Sequence, residues 1–94
     1  MSQRTTEALA KLDELLTSLN GLARNNDVER VLEDAHALRR AIAAFHMEAI
    51  RFRMYSVDRD LKVIGDDPGI RTQYEAVRQA LETAGFHTRS HVAP

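Results

Sequence analysis

The stretch HALRRAIAAFHMEAIRFRMY, His36 to Tyr55, decides the fold, because two apolar patterns meet inside it. It holds two histidines, four arginines, two phenylalanines and two methionines, and no residue in it is a helix breaker. Outward from this stretch, Val28, Val31, Ala35, Leu38, Ile42, Phe45, Ala49 and Phe52 recur at spacings of three and four, which puts them on one side of a helix. Ala43, Met47, Ile50, Met54, Val57, Leu61 and Ile64 do the same on nearly the opposite side. Each stripe is apolar over part of its length only. Upstream, the second line is occupied by Glu29, Glu33, His36 and Arg40; downstream, the first runs into Ser56 and Arg59. A helix over about residues 27–64 is therefore predicted to change its buried side halfway, over a length of roughly 57 Å at 1.5 Å per residue.

The flanking elements follow from punctuation. Thr5 or Thr6 can cap a first helix over about 6–24, with Glu7 in its positive first turn and Leu9, Leu12, Leu16, Leu19 and Ala23 as its stripe. Asn20–Gly21 weakens its last turn, so the helix either continues to about 24 or stops near Leu19. Asn26 with Glu29 has the arrangement of a capping box for the second helix. Gly65 suits the left-handed position at that helix's end, and Asp67 and Pro68 suit the cap and first turn of a third helix over about 68–84. Gly85 ends it, with Phe86 able to fold back on Leu81. Residues 86–94 read as a flexible tail.

Composition places the chain in the all-α class: four glycines, two prolines, and abundant Ala, Leu, Glu and Arg. A chain of 94 residues makes one domain and buries only about 60–65% of its unfolded surface. With no cysteine, neither disulfides nor thiolate metal sites can supplement that core, and a reducing cytoplasm is the expected compartment. The N-terminal residues lack the pattern of a secretion signal, and no stretch approaches the apolar length of a membrane span. Thirteen basic against fourteen acidic residues, net charge −1, argues against a nucleic-acid binder held by phosphate contacts.

Three helices arranged this way form two hairpins on opposite sides of the long helix, and leave its middle bare. An antiparallel second copy closes the gap and gives two four-helix bundles that share the long helices. Ile42, Phe45, Met47, Ala49, Ile50, Phe52 and Met54 are then the expected dimer interface. The functional expectation is a cytoplasmic homodimer acting as a structural or protein-interaction module, without catalysis or cofactor, whose partners are itself and possibly another protein, with no nucleic acid and no membrane.

Several polar residues carry alternatives. Arg39, His46 and Arg53 are seven residues apart, so on a continuous helix they form a line. Such a line either pairs with acids such as Asp13, Glu14, Glu75 and Glu82, or binds an anion. The segment AHALRR, Ala35 to Arg40, resembles the motif of histidine phosphotransfer domains: an exposed helical histidine, a basic residue at the third position after it and a small one at the fourth. Arg39 matches the basic position, and Arg40 stands where the small residue belongs. The resemblance implies a phosphoryl-accepting His36. His87 and His91 have the separation of two helical metal ligands but no third, and the paired Glu-x-x-His pattern of di-iron bundles is absent. Helical chorismate mutases begin with their long helix, whereas this chain places its long helix second.

Overall fold

The computed structural model describes residues 5–88. They form four helices: α1 Thr6–Asn20, α2 Asn26–Ala43, α3 Met47–Val63 and α4 Pro68–Thr83. Among the described residues there is no strand. The chain is all-α as its composition requires, but the long helix expected from the sequence is two helices. The longest dimension is 35 Å, too short for a straight helix over 27–64.

The break lies at Ala44–Phe45–His46 and is a Schellman motif. Phe45 N–H donates to the Ile42 carbonyl at 3.1 Å and His46 N–H to the Ala41 carbonyl at 3.0 Å, with Phe45 in the left-handed region at φ 58°. The same pair of bonds closes α3, from Gly65 to Lys62 and Asp66 to Leu61, and α4, from Gly85 to Glu82 and Phe86 to Leu81. There the left-handed residue is glycine, at φ 109° and 101°. Glycine takes that conformation without a Cβ clash, and a phenylalanine does so at a cost of about 1–2 kcal/mol.

The turn explains the switch of stripes. α2 buries Val28, Val31, Ala35, Leu38 and Ile42; α3 buries Ile50, Met54, Val57 and Leu61. Reversing the chain between them turns both half-stripes to the same core, the task the sequence pattern assigned to a second copy. α1 contributes Leu12, Leu15 and Leu19, and α4 contributes Ile70, Tyr74, Val77 and Leu81. α2 lies against α3, and α1 against α4 and α2, while α3 and α4 touch less. Short connections and the cross-helix pairs described below set successive helices antiparallel. Losing one buried leucine of this core, as in Leu38→Ala, costs about 2–5 kcal/mol.

The caps follow the sequence with small displacements. Asn25, not Asn26, caps α2, its side chain accepting from Val28 N–H at 2.8 Å. Glu29 pairs with Arg24 at 3.0 Å instead of reaching back to the cap. α1 stops at Asn20, at the earlier of its two expected ends, and Ala23 is exposed. Asp67 caps α4 by accepting from Ile70 N–H at 3.0 Å, with Pro68 first in the helix. Phe86 and Thr88 are buried, so the packed structure continues past Gly85; residues 89–94, with His91, lie outside the described residues.

Candidate functional site

The three residues expected to line one helix are held apart by the turn, each with a partner. Arg39 on α2 makes a two-pronged contact with Asp13 on α1, Nε to Oδ1 at 2.8 Å and Nη2 to Oδ2 at 3.1 Å. This hydrogen bond holds the Asp13 carboxyl below its usual range and raises the Arg39 guanidinium. His46 caps α3, its Nδ1 accepting from Ala49 N–H at 3.3 Å. Arg53 on α3 reaches Asp34 on α2 at 2.8 Å. The arrangement is that of ion pairs and a cap, with Asp13 the one partner named from sequence.

Asp34 and Asp60 form the centre that sequence reasoning missed. They come from α2 and α3, both are buried, and Asp60 is only 3% exposed. Asp34 stands beside Asp60 and opposes its charge, and the buried Asp60 Oδ2 has no hydrogen-bond partner among the described residues. Arg53 serves Asp34, and Arg59 Nη2 stands 3.5 Å from Asp60 Oδ1. Ser56, also buried, donates to the Phe52 carbonyl at 3.1 Å rather than to either acid. Two ionised carboxylates are acceptors only, so a bond between them needs a proton. Burial first, and the neighbouring Asp34 second, push Asp60 up to about 6. The sequence signal was faint: Asp34 and Asp60 each fall among apolar positions, but they are twenty-six apart and meet only because the chain reverses.

A second polar cluster joins α3 to α4. Arg71 contacts Asp58 at 2.6 Å and Asp66 at 2.8 Å. Burial opposes ionisation of Asp58, yet Arg71 and Lys62 hold it below its usual range. The Tyr74 hydroxyl donates to the Met54 carbonyl at 2.8 Å and accepts from Arg78 at 2.8 Å; burial pushes this phenol well up. The cluster fastens the two helices, although the buried Nη2 of Arg71 has no hydrogen-bond partner among the described residues.

The surface holds the remaining candidates. His36 is exposed on the outer side of α2. Phe45, Phe52 and Tyr55 are 44%, 48% and 39% exposed. Phe45 leans on Phe86, ring centres 6.1 Å apart, and the Arg53 guanidinium lies 5.1 Å from the Phe52 ring centre. Of the expected dimer interface, Ile42, Ile50 and Met54 are fully buried in the chain's own core and Met47 and Ala49 are half-buried against it; only Phe45 and Phe52 face outward. At one end of the bundle, a shallow depression of about 500 Å³ lies between Leu22, Val28, Val63 and Ile64, with Asn25 and Asp27 on its edge. Those two polar groups already serve the start of α2, as cap and as partner of Arg30. Among the described residues no group of three or more His, Asp or Glu side chains is placed to hold a metal ion, and no helix is long and apolar enough to cross a membrane.

No family model matches the chain, and neither a curated protein nor a solved structure matches it significantly.

Proposed function

We propose that the chain is a helical protein-interaction module, working without catalysis or cofactor in the cytoplasm as a homodimer of antiparallel four-helix bundles. The observation that carries this reading is the placing of its aromatic residues. The chain has five, three Phe and two Tyr; Tyr74 and Phe86 are buried, while Phe45, Phe52 and Tyr55 face outward between positions 45 and 55. Each of the three rings stays about half in water although the bundle's core is complete without them. Outward aromatic rings are enriched at protein interfaces, where they supply large area at low entropic cost. Covering one half-exposed ring recovers about 2 kcal/mol at roughly 25 cal/mol per Å². No single ring offsets the cost of association, and the three act together. The absence of cysteine fits a reducing compartment.

The test is sedimentation equilibrium on the wild type and on a Phe52→Ser, Tyr55→Ser double variant. The wild type is expected at twice its 10.6 kDa chain mass, and the variant is expected to dissociate with its helicity retained, because both side chains lie outside the core. A variant as dimeric as the wild type would remove the rings from the reading.

A second reading rests on the exposure of His36. An outward histidine on a bundle helix is where a phosphoryl acceptor must stand, and Arg39 and Arg40 lie within about one turn of it. Incubation with phosphoramidate should then leave an acid-labile phosphate on the wild type and none on His36→Gln. An unlabelled wild type eliminates this reading.

A further inference from the structure

We infer that two copies of the chain combine by opening the α2–α3 turn and exchanging hairpins, so that α1 and α2 of one copy close on α3 and α4 of the other. The inference rests on the homodimer reading above and states how the dimer is built. Three observations converge on the turn. First, Phe45 occupies the left-handed position of its Schellman motif, where the other two such motifs of this fold use glycine; the other non-glycine residue at positive φ is Asp66, at 51°, and an aspartate tolerates that region better than a phenylalanine, so the greater strain falls on the α2–α3 connection, the condition that favours hinge opening. Second, the hinge sequence AIAAFHMEA, Ala41 to Ala49, contains no glycine or proline and can run straight through as helix. Third, the seam opened by such a hinge divides the four helices evenly: away from the turn, the contacts between α2 and α3 and between α1 and α4 can re-form between copies, the Arg53–Asp34 ion pair included.

The exchange also gives two of the outward rings, Phe45 and Phe52, a place. On a continuous helix at about 100° per residue, Phe45 and Phe52 are two turns apart on one face. The two straightened helices run antiparallel past each other at the hinge, and that face is where they meet. Closing the turn instead separates the pair, leaving each ring half exposed. The losses on opening are the His46 cap on Ala49 and the Phe45–Phe86 contact; the gain is release of the left-handed backbone in both copies.

Two experiments test the exchange. Phe45→Ala and Phe45→Gly both remove the ring, and only glycine also relieves the strain in the closed chain, so Phe45→Gly is read against Phe45→Ala. A roughly tenfold stabilisation of each closed chain, of the size that a left-handed non-glycine residue implies, enters the dimer equilibrium twice and raises the dissociation constant about a hundredfold. The second uses the ion pair across the seam. Asp34→Arg and Arg53→Asp each set like charges together in a closed chain, but in a mixed exchanged dimer both seams become matched. The arginine introduced at position 34 of one copy faces the aspartate introduced at position 53 of the other, and the second seam keeps the native Asp34 and Arg53. Mixing the two variants through a denaturation–refolding cycle is expected to give a one-to-one heterodimer that melts above either variant alone. If the wild type is dimeric but the charge variants do not complement and Phe45→Gly dimerises as tightly as Phe45→Ala, exchange is wrong and self-association stands. If the wild type is monomeric at every concentration, the homodimer reading itself falls.

Discussion

Replacing Asp60 by asparagine should stabilise the folded chain at neutral pH and leave it little changed under mild acid. Asp60 titrates at about 6 in the fold, against an ordinary 3.8 for an aspartate in the unfolded chain. Between these values the folded state holds a proton that the unfolded state has released, so stability falls as pH rises through this window and levels off above it. The full difference is about 3 kcal/mol, at about 1.4 kcal/mol per tenfold change in proton affinity. Asparagine keeps the shape, donates to Asp34 in place of the shared proton and has no charge to bury. Asp60→Asn is therefore expected to gain about 1–3 kcal/mol at pH ~7.5 and close to nothing near pH ~3.5. The measurement is urea unfolding of both proteins across this pH range. Asp13 and Asp58, held below their usual range by arginine partners, gain their stabilising charge at lower pH and do so equally in both proteins, so the difference isolates Asp60. A difference that is flat with pH, or an asparagine variant less stable than the wild type in the neutral range, refutes the shared-proton argument.

Other substitutions probe the remaining supports. Tyr74→Phe removes a buried hydroxyl bonded to the Met54 carbonyl and to Arg78 and should cost about 1–2 kcal/mol in chemical denaturation. Gly65→Ala should cost about 1 kcal/mol although the space around it is open, because its φ of 109° is poorly tolerated by a residue with a Cβ; a neutral result would show that the turn relaxes. Asp67→Ala should lower stability by about 1 kcal/mol through the lost cap on Ile70 N–H, visible as a lower melting temperature.

How much of this was legible in the sequence depends on which residue marks each turn. Gly65, Asp67–Pro68 and Gly85 announced the end of α3 and both ends of α4 because glycine and proline have conformational preferences independent of context. The turn at Phe45 carries no such mark, since phenylalanine is an ordinary helix residue that is held left-handed here by the packing on either side. Its one trace was the switch of apolar stripes between Ile42 and Met47. A switch has two physical solutions, a second chain or a reversal of this one, and spacing alone does not choose between them. The same ambiguity hid the Asp34–Asp60 pair, which exists only once α3 folds back on α2. It also made Arg39, His46 and Arg53 look like a strip. Their charges were legible and Asp13 was among the candidate partners, but Asp34, and the assignment of each acid to its arginine, required the topology.

The chain completes its core alone and, on the reading proposed above, still presents aromatic rings for a second copy. Sedimentation equilibrium of the unmodified protein, from low to high micromolar concentration at neutral pH, tests this most directly. The expected result is a reversible monomer–dimer equilibrium reaching twice 10.6 kDa, with helicity unchanged across the range. A single species of 10.6 kDa at every concentration contradicts it.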